Sequence, residues 1–124
     1  MKRDHSEEAL QAVLKPLGLR RTLGKGEFLF LAGETIRGFF YVESGEIRVV
    51  RMDEKGREVE IARLAAGDFL AEAVMFVLEK YPAFAQAVRE TRCLFFEKNR
   101  ILSLIEKDAA AAKAFLLLLA RKCL

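Results

Sequence analysis

The residues best suited to chemistry lie in one stretch, Gly67 to Val88, which reads GDFLAEAVMFVLEKYPAFAQAV. The stretch opens with Gly-Asp, continues as a short apolar helix with one acid, Glu72, and closes on Tyr81-Pro82-Ala83. A carboxylate that points inward among apolar side chains is costly unless it is hydrogen-bonded or paired, and the stretch itself contains no arginine. The pattern is typical of a loop that holds a ligand.

Catalytic chemistry lacks its usual residues in this chain. The single histidine, His5, lies near the N-terminus, so the clusters of histidines and carboxylates that metal-dependent β-rolls need are missing. No serine or cysteine has a histidine in a plausible framework, and neither a Gly-x-Ser-x-Gly motif nor a phosphate-binding loop occurs. We therefore expect a binding protein and not an enzyme.

Composition indicates one domain without a membrane span. The chain has 124 residues, of which 52% are hydrophobic, and its net charge of +3 gives no sign of direct nucleic-acid binding. The longest apolar run, Ala114 to Ala120, falls far short of the roughly 20 residues that cross a bilayer. Because no signal-peptide pattern is present, Cys93 and Cys123 are expected to be thiols of a cytoplasmic protein.

The elements that must position the loop are a helix followed by a roll of short strands. Apolar spacing predicts the helix over Asp4 to Gly18, and glycines then divide the chain into short apolar segments. The clearest hairpin pairs Glu46–Arg51 with Glu58–Arg63 around a turn at Asp53–Gly56. Strict alternation predicts that one face of this hairpin carries Ile47, Val49, Val59 and Ile61.

The last third of the chain predicts a strand, Arg92–Glu97, and two helices capped by Asn99 and Asp108. The second helix, Ala109–Leu124, is apolar almost all round, and a small domain can cover only one side of it. Either all sides of the helix are buried in the core of its own domain, or its other side packs on a second copy in a symmetric dimer. The predicted interface residues are Phe115, Leu116, Leu118 and Leu119.

The order of these elements resembles the cyclic-nucleotide-binding domain of the Crp/Fnr transcription regulators. The resemblance covers about Leu10 to Leu124 and rests on Gly26-Glu27-Phe28-Leu29-Phe30, Gly33-Glu34, Phe40-Tyr41-Val42 with Ser44-Gly45, Gly56, and Gly67-Asp68-Phe69. It implies a mainly β fold, a double-stranded β-helix or jelly roll with flanking helices, over residues 1–108. It also implies that residues 109–124 begin a dimerisation helix, and that a homodimer binds DNA only through a further domain expected beyond residue 124.

In that family the opening stretch is the phosphate-binding cassette, usually Phe-Gly-Glu-Leu, a short helix, then Arg-Ser/Thr-Ala. Phe69 to Ala73 matches the first half with Ala71 in place of glycine, which puts Glu72 at the ribose-binding position. Tyr81-Pro82-Ala83 replaces the second half, so the guanidinium and hydroxyl that clamp a cyclic phosphate are missing. The implied ligand-binding residues are Val49, Ile61, Phe69, Leu70, Ala71, Glu72, Ala73, Met75, Tyr81, Pro82 and Ala83.

The resemblance therefore implies an effector-sensing domain that binds cyclic AMP poorly. Glu72 either faces solvent or points inward, where it accepts from a ligand or pairs with Arg48, Arg63 or Arg89. One alternative ligand is haem, as in the nitrosative-stress branch of the family. Phe69, Leu70, Val74, Phe76 and Phe84 would then line the slot, and His5, Met75, Tyr81 or Cys93 would reach the iron.

A small organic acid or aromatic effector, held partly by the amides of residues 71–73, is the other ligand that these residues leave open. The rival function from a different class is a regulatory module of a channel or kinase, because such proteins use the same roll.

Overall fold

The protein forms two four-stranded antiparallel sheets followed by two helices. The computed structural model describes residue 12 and residues 14–122, the last two without their side chains. One sheet has the strand order β1-β8-β3-β6 and the other β2-β7-β4-β5. The strands are β1 Leu19–Leu23, β2 Phe28–Phe30, β3 Gly38–Ser44, β4 Glu46–Met52, β5 Glu58–Ala65, β6 Phe69–Leu70, β7 Phe84–Ala87 and β8 Thr91–Glu97.

The two sheets and the helices that flank them confirm the predicted mainly β fold. Single 3-10 turns occur at Lys15–Leu17 and Val74–Phe76, and the chain ends in α1, Lys98–Lys107, and α2, Ala109–Lys122. The helix predicted over Asp4–Gly18 lies largely outside the described residues. Within residues 14–122, no helix combines the length and the hydropathy that crossing a bilayer requires.

The core centres on the side chain of Phe39, which has no exposed surface. Its ring centroid lies 4.9 Å from that of Phe96 on β8, 6.0 Å from Phe69 on β6 and 5.6 Å from Phe115 on α2. Aromatic rings bury large areas and attract one another at such separations. Phe39 therefore holds together one sheet, α2 and the start of the Gly67–Val88 stretch, called the candidate loop below.

The β4–β5 hairpin forms as predicted, but the strict alternation predicted for β5 is wrong, because a bulge adds Ile61 between the paired residues Glu60 and Ala62. Ile47 lies opposite Leu64 and Val49 opposite Ala62, and a bulge between Val49 and Val50 then shifts the pairing. Residues directly opposite each other share a face, so Ala62 and Leu64 face inward. Val59 and Ile61 are 41% and 51% exposed.

One of the two predicted helix caps is correct. The Asp108 carboxylate accepts hydrogen bonds from the amides of Ala110 and Ala111, at 3.0 and 3.1 Å. Asn99 is wrong as a cap, because α1 begins at Lys98 and its N-cap position is Glu97. The predicted start of α1 is too late because asparagine is in general a favoured capping residue, whereas here β8 runs directly into the helix.

The last helix, α2, turns one side to the core and leaves the other uncovered. Ala111, Ala114, Phe115 and Leu118 are buried, whereas Leu116 is 67% and Leu117 40% exposed. Leu119 packs partly against the core. Two of the four predicted interface residues, Phe115 and Leu118, are therefore covered by their own domain.

The candidate loop contains a strained backbone position. Ala71 has φ of 72°, the left-handed region that glycine adopts freely and that alanine enters at a cost. This turn sends the chain from β6 into the 3-10 turn, and the Met75 amide donates back to the Ala71 carbonyl at 3.1 Å. Ala71 is the position at which the resembling family has glycine, so the backbone shape is kept without the residue that suits it.

Replacing Asp108 with alanine tests the cap. We expect Asp108→Ala to lower the free energy of unfolding by about 1 kcal/mol, because two amides at the start of α2 lose their acceptor. Asn99→Ala is the matched control and should change it by less than about 0.5 kcal/mol. Urea denaturation followed by circular dichroism measures both, and equal losses would contradict the assignment.

Replacing Ala71 with glycine tests the strain. We expect Ala71→Gly to stabilise the domain by about 0.5 kcal/mol, since relief of roughly 1 kcal/mol of strain exceeds the extra entropy of the unfolded chain. The control Ala73→Gly lies at φ of −83°, where alanine is unstrained, and should destabilise by about 0.5 kcal/mol. The same sign for both variants in thermal unfolding would refute the strain.

Candidate functional site

The candidate loop, β5 and one residue each from β2 and β4 enclose a cavity of about 300 Å³, called the inner cavity. This volume is at the small end of the range for sites that bind small molecules. Most of the wall is apolar, and Glu72 is the acidic residue in it. The lining residues are Phe30, Val49, Ile61, Ala62, Leu64, Phe69, Leu70, Ala71, Glu72, Ala73, Val74, Tyr81, Pro82 and Ala83.

The fold brings nearly all of the predicted binding residues to this cavity. Every predicted ligand-binding position lines it except Met75, which is fully buried in the core instead. Sequence reasoning missed Phe30, Ala62 and Leu64. The last two could have been found only from the true register of the β4–β5 hairpin, which places them opposite Val49 and Ile47.

Glu72 is buried, with 2% of its surface exposed, so the interpretation of a solvent-facing glutamate is wrong. The turn at Ala71 directs the following residue into the wall of the cavity, next to apolar neighbours. A carboxyl group in that position can accept hydrogen bonds. It therefore favours a ligand with a hydroxyl or amino donor over one that brings an anion against it.

The arginines considered as partners of Glu72 make ion pairs elsewhere. Arg63 donates to Glu46 at 2.6 Å and to Glu60 at 2.9 Å, and Arg89 donates to Glu46 at 2.9 Å. Hydrogen bonds from Arg63 hold the pKa of the Glu46 carboxyl below its usual range, with Arg89 contributing further. These pairs stabilise the rim of the sheet and leave the positive charges outside the inner cavity.

Arg48 is occupied in the same way. Its Nε donates to the side-chain oxygen of Gln86 at 2.9 Å, and its guanidinium lies 3.4 Å from Glu58 and over the ring of Phe84. No arginine, lysine or histidine is among the described residues that line the inner cavity. A cyclic phosphate placed there would meet no cation from the described lining residues.

Tyr81 fills the place where the family has its arginine. The ring stacks on that of Phe30, with 3.7 Å between centroids and 8° between planes, and the side chain is 6% exposed. Burial raises the pKa of the Tyr81 hydroxyl to about 12; Glu34 adds to this and Arg21 opposes it. The hydroxyl is therefore neutral near pH 7 and acts in hydrogen bonds only as an uncharged group.

Backbone hydrogen bonds fix the segment around Tyr81. The Ile36 amide donates to the Glu79 carbonyl at 2.8 Å, and the Gly33 amide donates to the Tyr81 carbonyl at 2.9 Å. The Tyr81 amide donates to the Glu34 carbonyl at 3.0 Å. Because these bonds use main-chain atoms, any residue at position 81 with an amide hydrogen can make them.

Lys80, the neighbour expected to compensate for the missing arginine, is exposed and does not line the inner cavity. Pro82 does line it but carries no amide hydrogen. Both halves of the phosphate clamp are therefore absent from this wall: the guanidinium at residue 81 and the hydroxyl and N–H at residue 82.

The described residues do not fit a haem in the inner cavity. Met75 and Cys93 lie outside it, and burial raises the pKa of the Cys93 thiol to about 11, which disfavours the thiolate that binds iron. Tyr81 lies in the wall but is stacked and neutral. Phe76 and Phe84, expected in a haem slot, instead pack on Phe115 and Phe28.

Other metals find no cluster of ligands in the described part of the chain. Among residues 14–122, no three His, Cys, Asp or Glu side chains come close enough to hold an ion. His5 and Cys123 fall outside the described residues. Binding by hydrogen bonds and apolar contact is therefore the chemistry that the described site provides.

Comparison with known proteins agrees with the fold. The cyclic nucleotide-binding domain family matches residues 20–108. The cyclic AMP receptor protein of Thermus thermophilus is 29% identical over 103 residues, 83% of this chain and 48% of its own length. A protein of Rhodopseudomonas palustris, named as a proposed potassium channel, is 26% identical over 94 residues, 75% of this chain and 22% of its own.

Solved structures give the same result. The catabolite activator protein of Thermus thermophilus superposes with a TM-score of 0.81 at 26% identity, over 93% of this chain and 54% of that one. The sensor domain of the transcriptional regulator DNR from Pseudomonas aeruginosa gives 0.77 at 26% identity, over 94% and 87%. This chain spans about half the length of the Thermus relative. The resemblance to the sensor domains of Crp/Fnr regulators is confirmed, and the chain belongs to the cyclic nucleotide-binding domain family.

Proposed function

We propose that this domain senses a small effector other than cyclic AMP and forms the dimer of a Crp/Fnr-type transcription regulator. One observation carries the first part: the inner cavity keeps the buried acid of the family, Glu72, but presents Tyr81 and Pro82 in place of the phosphate clamp. The effector would be a small, largely apolar molecule with a hydroxyl or amino group directed at Glu72. The regulators with similar sensor domains support the second part.

The ligand would act by changing how α2 packs. Phe69 lines the inner cavity and also touches Phe39, which in turn contacts Phe115 on α2. A ligand that repositions Phe69 would therefore bias the packing of the last helix. DNA-binding domains expected beyond residue 124 would be reoriented as a result.

Cyclic AMP titration tests the missing clamp. Loss of two charge-assisted hydrogen bonds, at about 1.5–3 kcal/mol each, weakens binding by roughly 10² to 10⁴. We expect calorimetry to detect no micromolar binding of cyclic AMP, and Tyr81→Arg with Pro82→Ser to improve its affinity at least about tenfold. Tyr81→Phe with Pro82→Ser supplies the hydroxyl without the cation and should gain far less.

Submicromolar binding of cyclic AMP by the unmodified domain would refute this proposal. Adenosine offers a second comparison, because it lacks the phosphate that the cavity cannot clamp. We expect the unmodified domain to bind adenosine and cyclic AMP with similar, weak affinity. Native mass spectrometry of the purified domain would then report the mass of any effector retained by the protein.

The uncovered side of α2 is where the second copy would pack. Leu116, 67% exposed, lies on this side, and Leu119 is only partly covered. The exposed residues Phe76 and Val77 add apolar surface nearby, since the Phe76 ring packs edge-on against Phe115 of the same helix. A second copy would remove this surface from water.

Leu116→Glu tests the dimer. A carboxylate buried between two copies should weaken association by about a hundredfold or more while leaving the monomer folded. Leu19→Glu is the matched control, because Leu19 is also an exposed leucine, at 55%, but lies on β1. Sedimentation velocity measures the oligomeric state, and a dimer that survives Leu116→Glu unchanged would place the interface elsewhere.

A second candidate is the regulatory module of a channel. The similarity to the Rhodopseudomonas palustris protein favours it, since that match covers three quarters of this chain. The full-length gene product distinguishes the two. A helix-turn-helix domain after residue 124 would support the regulator, and transmembrane helices would support the channel.

A further inference from the structure

A second recess lies on the other side of the ring pair formed by Tyr81 and Phe30. This outer groove encloses about 310 Å³ and is close in size to the inner cavity. The two rings line both spaces and so form the partition between them. The groove is lined by Arg21, Leu29, Phe30, Glu34, Thr35, Arg37, Phe40, Tyr81 and Phe95.

Aromatic rings form the floor of the outer groove. Phe40 is 2% exposed, and its ring centroid lies 5.2 Å from that of Phe95 and 5.9 Å from that of Phe30. Tyr81 continues the row, because it stacks on Phe30. A flat apolar group laid along this row would meet ring faces and edges, which attract other aromatic rings.

Two arginines line the outer groove beside this floor. Arg21 and Arg37 are both exposed, and within residues 14–122 neither makes an ion pair. The guanidinium carbon of Arg21 lies 5.9 Å from the centroid of Phe40, so the cation is held over the floor. Planar guanidinium groups match carboxylates and can bind them with two parallel hydrogen bonds.

The main chain that carries these cations is fixed. Arg21 lies within β1, directly opposite Cys93 of β8. The Arg37 carbonyl accepts a hydrogen bond from the Lys98 amide at 2.8 Å, which ties the start of β3 to the start of α1. Neither arginine therefore sits on a free loop.

The third charge in the outer groove is Glu34, which accepts a hydrogen bond from the Leu31 amide within its own turn. With Arg21 and Arg37 positive and Glu34 negative, the outer groove has an excess of one positive charge. The inner cavity has an acid, Glu72, in its wall and no arginine among its described lining residues. The two spaces separated by Tyr81 thus suit ligands of different charge.

From this arrangement we infer that the outer groove is a second ligand site, which takes a small aromatic carboxylate. The carboxylate binds between Arg21 and Arg37, and the ring lies against Phe40 and Phe95. This site shares only Phe30 and Tyr81 with the effector site and takes a different class of ligand. Its test therefore succeeds or fails independently of the cyclic AMP titrations.

Benzoate is the probe, and benzamide is its uncharged match in shape. We expect benzoate to bind with a dissociation constant of about 1 mM and benzamide at least about tenfold more weakly. NMR of isotope-labelled domain should show saturable shifts at Tyr81 and Phe95. Signals of the inner-cavity residues Ile61 and Leu64 should move much less.

Arginine variants locate the site. Arg21→Gln and Arg37→Gln should each weaken benzoate binding about tenfold, because a charge-assisted hydrogen bond is lost. Arg37→Lys keeps the charge but not the planar fork and should be intermediate. Arg51→Gln is the matched control, since it removes the same charge from an exposed arginine on β4 and should change binding less than about twofold.

The inference is overturned by any of three results. One is the absence of saturable shifts below about 20 mM benzoate. Another is equal weakening in Arg51→Gln, which would mean that only net charge matters. The third is a set of shifts confined to Ile61 and Leu64, which would place benzoate in the inner cavity. Each variant's fold is checked by its unbound spectrum, and Arg37→Lys keeps the test decisive if one glutamine variant fails to fold.

Discussion

Packing around Phe39 is the interaction on which the rest of the structure depends. A single fully buried ring touches β6, β8 and α2 through Phe69, Phe96 and Phe115. Core side chains of this kind are close-packed, so a shift in one is felt by its neighbours. The same contacts that hold the roll together therefore join the wall of the inner cavity to the helix whose other side is uncovered.

Charge is distributed unevenly around this core. Three arginines, Arg48, Arg63 and Arg89, pair with Glu46, Glu58 and Glu60 at the surface, where pairs of this kind contribute little stability each. Glu72 is enclosed in the inner cavity, and two guanidinium groups stand in the outer groove. Tyr81 and Phe30 line both spaces, so the residue that replaces the family's arginine lies between the wall that contains Glu72 and the groove that contains two arginines.

Much of the fold could be predicted from the sequence, because strand alternation, glycine turns and the Asp108 cap are local signals. The inward face of β5 could not, because the bulge at Val49 and Val50 depends on tertiary pairing. The burial of Glu72 could not be predicted either, since it accompanies a positive φ at Ala71, a conformation that alanine rarely adopts. The outer groove could not be predicted, because Arg21 on β1 and Arg37 before β3 both line it, and their spacing along the sequence gives no sign of this.

The main-chain hydrogen bonds around Tyr81 have an evolutionary consequence. Residues 33–36 hold residues 79–81 through peptide groups, so the scaffold tolerates a different side chain at residue 81 without losing the loop's position. If residues 81 and 82 set the ligand as proposed, two codon changes are enough for duplicated genes to diverge in what they detect while keeping one architecture. The same property makes this segment a natural place to randomise when engineering biosensors.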